Sequence, residues 1–271
     1  MAATQFQTRT ITALLFVTLL VSSVLASVWS LFFLFLFFTL IAVNEFKQFF
    51  SQSGKSHIFV FFGSVIVFVL PSLIVLNYLQ FGHLALSLLL IPLAFTFGIA
   101  SPQDSDKKIA YSVLSWVYVT IPFALVVPFA MISGAYTPWL LLGYFFLLWG
   151  NDTGAYLIGK SIGKNKLAAH ISPGKTIEGF VGGVLVAMLV AYLNFKFIGI
   201  IELQHWIFCA LITSIVGTLG DLVESSMKRK AQIKDSGNIM PGHGGILDRF
   251  DGLLLSLPVV FVYLCYIFMD K

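Results

Sequence analysis

Charged side chains are scarce in this sequence. Aspartate, glutamate, lysine and arginine make up only 10% of the 271 residues, whereas 58% are hydrophobic and the mean hydropathy is +0.95. A typical soluble domain carries about 25% charged residues, so this shortage excludes an ordinary soluble globular protein. The composition instead predicts an integral membrane protein.

Cysteine is also nearly absent, since Cys209 and Cys265 are the only two and both lie inside apolar runs. Such a pair gives no basis for a disulfide framework or a cysteine metal site.

The chain lacks a GxxxxGK[ST] string as well, because Gly174-Lys175-Thr176 has no glycine at the required earlier position. No strand pattern precedes the glycine-rich loop, which argues against both the P-loop and the Rossmann nucleotide folds.

Long apolar runs are abundant instead. Runs of roughly 17–25 apolar residues match the thickness of a bilayer, and they predict an all-α, polytopic membrane protein with about nine transmembrane helices. The first two spans are joined so tightly that they should form a hairpin. Alternatively, the first run is a cleaved signal peptide, with Val24-Leu25-Ala26 as the cleavage site. The predicted spans are 11–26, 28–49, 58–76, 84–100, 109–131, 138–158, 179–200, 205–228 and 252–269.

The basic residues predict the orientation. Fourteen of the 16 lysines and arginines fall at the N-terminus or on loops of one parity. By the positive-inside rule that face is cytoplasmic, which predicts a cytoplasmic N-terminus, a multi-pass protein of the inner cell membrane and an active site that faces the cytoplasm.

The chain divides into two predicted parts. Residues 1–135 are expected to be scaffold helices with a potential homodimer contact, and residues 136–271 to be the catalytic region. Glu45, near the end of the second span, is the one embedded charge of the first part. It could be a ligand, but a helix-end carboxylate that points at water is the favoured interpretation.

Charge is concentrated between Asp221 and Asp251. The first part of this stretch continues an apolar run from Trp206 and is predicted to be the end of a helix. Glycine and proline after Asp235 predict a loop, whose glycines would let backbone N–H groups approach an anion. This stretch holds five of the 12 carboxylates together with Lys228, Arg229, Lys230, Lys234, His243 and Arg249.

A second polar stretch runs from Trp149 to Gly183. Asn151 and Asp152 interrupt an apolar helix, where an ionisable residue is costly unless it is paired or functional; a polar contact that locks two helices together is the alternative. The following loop interleaves glycines with lysines, which suits phosphate, although a basic loop beside a membrane can equally meet anionic head groups. The lysines are Lys160, Lys164, Lys166 and Lys175.

Both polar stretches lie on the same predicted membrane face, so their aspartates can meet. Oxygen ligands without paired histidine or cysteine suit a hard cation, Mg²⁺ first; the sequence leaves open a second, monovalent cation. A metal with surrounding lysines and arginines is the usual solution for phosphoryl or nucleotidyl transfer. The candidate metal ligands are Asp152, Asp221, Asp248 and Asp251.

A motif in the second half consists of Ser225, Lys228-Arg229, Lys234-Asp235, Gly237, Pro241 and the run from His243 to Asp251. It closely resembles the signature of the phosphatidate cytidylyltransferase (CDP-diacylglycerol synthase) family, from which only Met240 departs, by a conservative apolar exchange. The likeness covers roughly residues 149–251, and the first half matches in hydropathy alone. The family's upstream block is similar to Asn151-Asp152, Ser172-Pro173, Lys175-Thr176 and Glu178-Gly179.

The resemblance implies a polytopic enzyme that joins CTP to phosphatidic acid and releases pyrophosphate, with Mg²⁺ required. Asp221 and Asp248 would hold the metal and act in catalysis, with Asp152 and Asp251 as further ligands or their support. The implied catalytic cations are Lys228, Arg229, Lys234 and Arg249. The implied substrate-binding residues are Asn151, Lys175, Ser225, His243, Gly244 and Gly245. The expected partners are CTP, phosphatidic acid and membrane lipid, but no nucleic acid polymer.

Two alternatives stay open at this point. A CTP-dependent kinase of a polyprenol- or phytol-type lipid alcohol would release CDP instead of pyrophosphate. An ion-coupled secondary transporter could use Asp152 and Asp221 to bind its coupling ion. Against the transporter, the polar residues concentrate at one face, and no inverted repeat is visible.

Overall fold

The structure is a computed structural model that describes residues 2–50, 55–84, 87, 89–99, 105–240, 242 and 244–269. A two-stranded antiparallel sheet, β1 (Lys166–Ala168) and β2 (Ser172–Thr176), is set among helices. The helices in chain order are α1 (Ala2–Ala26), α2 (Val28–Phe46), α3 (Lys55–Val75), α4 (Leu90–Ile99), α5 (Ser105–Leu114), α6 (Ile121–Ala124), α7 (Val126–Ala130), α8 (Pro138–Ile162), α9 (Ile177–Phe197), α10 (Leu203–Lys230) and α11 (Leu247–Met269). Shorter turns of 3-10 or π helix are Lys47–Phe50, Phe81–Leu84 and Ser115–Thr120.

Helices form in all the predicted apolar regions, so the all-α membrane class is confirmed. Large apolar side chains such as Phe33 (62% exposed) and Leu189 (58% exposed) lie on the outside of the helices, as lipid contact requires. Nine crossings stay a prediction. Within the described ranges, six helices are long and apolar enough to cross a membrane: Val28–Phe50, His57–Val75, Asp106–Ala130, Ile177–Phe197, Leu203–Lys230 and Leu247–Phe268. A shorter apolar helix covers Thr10–Ala26.

The helices pack into two compact units, one of Met1–Met131 with Lys230–Phe250 and one of Ile132–Arg229 with Asp251–Lys271. The boundaries of these units differ from the expected functional division at residue 135. That functional division stays a prediction. The first unit thus combines the N-terminal helices with a segment from far along the chain.

In the first unit, α1 and α2 are joined by Ser27 alone, so the predicted hairpin is confirmed. The Ser27 hydroxyl accepts the Ser30 amide at 3.1 Å, and the Ser30 hydroxyl accepts the Ser27 amide at 3.0 Å. This reciprocal capping box starts α2 immediately after α1 ends.

Aromatic packing ties the 230–250 segment to the N-terminal helices of the same unit. Phe250 is 2% exposed, and such clustered rings dominate the energetics of a packed core. The segment is therefore anchored by apolar contacts at its end. The ring centroid of Phe250 lies 5.2–5.8 Å from those of Phe16, Phe35, Phe38 and Phe123.

In the second unit, glycines bring α8 and α9 close together. A β-carbon on Gly154 of α8 would lie 2.7 Å from Cβ of Val186, and one on Gly183 of α9 would lie 2.8 Å from both the backbone oxygen and Oδ1 of Asn151. Small residues allow this close approach of helix backbones. The approach fixes the part of α8 that carries Asn151.

The β1–β2 hairpin is not predicted by the sequence. Helix α8 continues past its expected end at residue 158 to Ile162, and the basic loop then forms the two strands, in which Lys166 pairs with Thr176. The hairpin shows no apolar alternation in the sequence, because β1 is only three residues long (Lys-Leu-Ala) and β2 (Ser-Pro-Gly-Lys-Thr) contains proline and glycine. The consequence is that Lys175 projects from an ordered strand.

A carboxylate of α9 ties down the start of this hairpin. The Glu178 side chain accepts hydrogen bonds from the backbone amides of Lys164 at 3.1 Å and Asn165 at 3.2 Å, and from the Asn165 side chain at 2.7 Å. Thr176 caps the same helix by accepting the Gly179 amide at 3.1 Å. The hairpin and the first turn of α9 therefore form one connected element.

Candidate active site

The second unit contains a cavity of about 520 Å³ between α8, the hairpin, α9 and α10. One part of its wall is polar and the rest is apolar, with Tyr156 and Phe180 among the apolar residues. Four of the predicted site residues, Asn151, Asp152, Lys175 and Asp221, thus line one cavity although they come from three different parts of the chain. Its polar lining includes Asn151, Asp152, Lys160, Ser172, Lys175, Thr176, Thr218 and Asp221.

An ion pair joins two predicted site residues in this cavity. The Lys175 ammonium on β2 lies 2.5 Å from Oδ2 of Asp221 on α10, and both side chains are partly exposed, at 27% and 32%. The Ser225 hydroxyl, one turn further along α10, donates to Oδ1 of Asp221 at 3.1 Å. The hairpin and α10 are therefore linked through Asp221.

Two more carboxylates of this unit, Asp152 and Asp251, form a charge cluster together with the Lys175–Asp221 ion pair. Asp251, half-buried at the start of α11, is close enough to Asp221, Asp152 and Lys175 for their charges to act on it. Asp152 is exposed, and its Oδ1 accepts the Asn151 side-chain amide at 3.3 Å. The cluster thus holds three carboxylates and the one ammonium of Lys175, and its net negative charge favours a further cation.

The residues of this cluster fit the expected Mg²⁺. Mg²⁺ is held by one or two carboxylates together with substrate phosphates, not by a complete protein cage. Among the described residues, no group of three or more histidine, cysteine, aspartate or glutamate side chains is close enough to hold a metal by itself. Asn151, which is 3% exposed, also has an Oδ1 without a hydrogen-bond partner. The identity of the metal and its ligands stay predictions.

Asp248, the fourth predicted ligand, lies in the first unit. Its Oδ2 accepts the Ser236 amide at 2.8 Å, the Ser236 hydroxyl at 2.9 Å and the Gly245 amide at 2.8 Å. Gly244, whose φ of +82° suits glycine, would place a β-carbon 2.6 Å from the same oxygen. Asp248 therefore organises the loop before α11. Its predicted meeting with Asp152 and Asp221 stays a prediction.

Glu45 is a correction to the sequence interpretation. The carboxylate does not face water, because the residue is only 4% exposed. It accepts the backbone amides of Ile246 and Leu247, each at 3.0 Å, within the first unit. The signal that could have found it is the cost of a carboxylate in an apolar helix, which demands a partner. The sequence does not say which segment supplies that partner.

The predicted cations have different surroundings. Lys228 forms an ion pair at 3.1 Å with Glu224. The Glu224 side chain is fully buried, which the sequence did not reveal. The Arg229 Nε donates to the Ile171 carbonyl at 3.5 Å, beside the hairpin. Lys234 and Arg249 are exposed in the first unit. His243 lies outside the described residues.

Comparison with known proteins agrees with the motif. The model of the "Cytidylyltransferase family" matches residues 7–267. Proteins named phosphatidate cytidylyltransferase are similar over shorter stretches: 50% identity over 121 residues for one from Bacillus subtilis (strain 168) and 49% over 126 residues for one from Staphylococcus aureus (strain COL). The similar stretch is 44% of this chain and 44% of the Bacillus protein, and 46% and 48% for the Staphylococcus protein.

The match to the family model extends over nearly the whole chain, including the N-terminal helices, where the sequence offers only hydropathy. The chain spans about half the length of the curated relatives it matches. Together with the cavity and the charge cluster, the extent of the family match leads to one conclusion: this chain belongs to the cytidylyltransferase family.

Proposed function

We propose that this protein transfers CMP from CTP to phosphatidic acid, which forms CDP-diacylglycerol and pyrophosphate. The observation that carries the proposal is the cavity that places Asp152, Lys175 and Asp221 together beside apolar side chains. Phosphates and a divalent cation suit its polar side, and a lipid substrate suits an enzyme embedded in a bilayer. The names of the relatives support the same substrates.

The chemistry needs two anions to meet. An oxygen of the lipid phosphate attacks the α-phosphorus of CTP, the bond from that phosphorus to the bridging oxygen breaks, and pyrophosphate leaves with the electron pair. The lipid phosphate is already an anionic nucleophile, so no strong general base is required. Catalysis then depends on position and on charge stabilisation.

In this reaction the basic residues would bind phosphate and the carboxylates would bind the metal. Lys175, on its ordered strand, neutralises phosphate charge within the cavity, and Lys228 and Arg229 extend the positive charge along the end of α10. Asp221 would hold Mg²⁺, with Asp152 and Asp251 beside it in the second unit. Asp248, in the first turn of α11, is a further proposed ligand on the motif alone. When bound, Mg²⁺ supplies Lewis-acid stabilisation of the phosphate oxygens.

The orientation and assembly belong to the same proposal. The distribution of the basic residues supports a cavity that opens to the cytoplasm, where CTP is available, and phosphatidic acid would enter from the membrane. A homodimer through the N-terminal helices is part of this picture. A cysteine placed beside the cavity, at Ser161, should react with a membrane-impermeant reagent only from the cytoplasmic side.

The test is a product analysis with purified protein. CTP labelled at the α-phosphate should transfer its label to phosphatidic acid in the presence of Mg²⁺, with pyrophosphate released in equal amount. Label transferred from the γ-phosphate with release of CDP would identify a lipid kinase instead. No transfer from either position, together with ion-driven uptake in vesicles, would favour the transporter.

A further inference from the structure

Glu45, near the end of α2, is a buried carboxylate to which the proposed reaction gives no role. Its oxygens accept the Ile246 and Leu247 amides at 3.0 Å, and lie 3.3 Å from the Ser236 hydroxyl. The first N–H groups of a helix lack partners within the helix, and a helix N-terminus favours negative charge. Glu45 supplies both acceptors and charge to the start of α11.

Two glycines of the loop are shaped around this carboxylate. A β-carbon on Gly245 would lie 2.5 Å from Oε2 of Glu45, and one on Gly237 would overlap Oε1. Neither glycine has a positive φ, so its backbone conformation alone would permit another residue. Space against Glu45 therefore favours glycine at both positions, and at Gly245 the Ser236 hydroxyl, also 2.5 Å from the added β-carbon, restricts the space equally.

Ser236 connects Glu45 to Asp248. Its hydroxyl lies 2.9 Å from Oδ2 of Asp248 and 3.3 Å from Oε2 of Glu45. The Gly245 amide also donates to Oδ2 of Asp248, and Gly245 immediately precedes Ile246, which Glu45 holds. A displacement of the Glu45 carboxylate would consequently move two of the donors that orient Asp248.

We infer that Glu45 is a positioning residue: it holds Ser236 and the Gly245–Leu247 stretch against α2 and thereby fixes the orientation of the Asp248 carboxylate. The inference rests on the proposed function for its kinetic consequence, since Asp248 is a proposed Mg²⁺ ligand. The physical claim about the loop does not depend on the reaction. Helix α2 thus orients a proposed ligand within its own unit and is more than scaffold.

The test variant is Glu45→Gln, which keeps the size of the side chain but turns one acceptor into an N–H₂ group facing an amide donor. Groups that orient a metal ligand typically change metal affinity by about 10–100-fold. We therefore expect the Mg²⁺ concentration for half-maximal activity to rise about 10-fold or more. Ser236→Ala, which removes the connecting hydroxyl, should shift it in the same direction.

Glu202→Gln is the matched control, because Glu202 is exposed and its carboxylate accepts a hydrogen bond from the nearby Gln204 side chain at 2.9 Å, far along the chain from the 236–247 region. It should leave the Mg²⁺ requirement unchanged. An unchanged requirement in Glu45→Gln would overturn the inference, even if the variant melts at a lower temperature, because that result describes a merely structural role. If Glu45→Gln does not fold, an unchanged requirement in Ser236→Ala overturns it instead.

Hydrogen exchange separates this inference from the proposed function. In Glu45→Gln the amides of Ile246 and Leu247 should exchange faster than in the wild type and in Glu202→Gln, whichever reaction the protein catalyses. Unchanged exchange would refute the anchoring of the loop. Failure of the wild-type protein to release pyrophosphate from CTP would instead refute the proposed function alone, and the exchange rates would still decide the role of Glu45.

Discussion

Replacement of Gly183 by alanine tests whether the close approach of α8 and α9 supports the cavity. The new β-carbon would lie 2.8 Å from two oxygens of Asn151, whereas ordinary contacts begin near 3.4 Å, so the helices would have to separate by about 0.6 Å. Overpacking of this kind costs about 1–3 kcal/mol. Because Asn151 lines the cavity, the KM for CTP should rise as well.

Gly217→Ala is the matched comparison. Gly217 is also a buried glycine inside a helix of the same unit, but a β-carbon there would meet its nearest atoms at 3.6 Å, an ordinary contact. Both variants gain the same helix propensity, about 1 kcal/mol, so the difference between them isolates the clash.

The assay is thermal unfolding of the two purified variants in the same detergent. A difference of about 1–3 kcal/mol corresponds to roughly 2–12 °C in a protein of this size, with Gly183→Ala the less stable. If Gly183→Ala melts at or above the temperature of Gly217→Ala, the helices are not held at the spacing described, and the argument fails.

Four further substitutions test the site. Asp221→Asn and Asp248→Asn should each abolish turnover in a protein that still folds, as judged by its melting temperature; near-normal activity would remove that residue from the metal site. Lys230→Ala should keep activity within about twofold, because Lys230 is exposed at the end of α10 and lies outside the motif. A large loss of activity in the CTP assay would contradict this expectation. Glu178→Gln should speed hydrogen exchange at the Asn165 amide, and unchanged exchange would show that the carboxylate does not hold the hairpin.

Much of the fold follows from the sequence because bilayer helices leave a local signal. Each apolar run is long enough to be recognised by itself, and the helices begin and end near the expected residues. The charge-rich regions were equally visible, since ionisable residues in such a chain need a reason. The ion pair of Lys175 with Asp221 agrees with the placement of both regions on one membrane face.

The features that the sequence missed depend on contacts between distant segments. Glu45 looked like an exposed helix end because its partners lie about 200 positions further on, and no local pattern indicates such a pairing. The hairpin was missed for a different reason: its strands are only three and five residues long, and the second contains proline and glycine, so they lack the alternation from which strands are recognised. The burial of Glu224 likewise depends on tertiary packing.

The joining of the 230–250 segment to the N-terminal helices has a consequence for chimeric proteins. A recombinant that takes its first 131 residues from one relative and the remainder from another would separate Glu45 from the glycines fitted to it and Phe250 from its ring partners. The exchangeable piece is discontinuous: a graft has to carry both the opening helices and the late loop, or compatible versions of each.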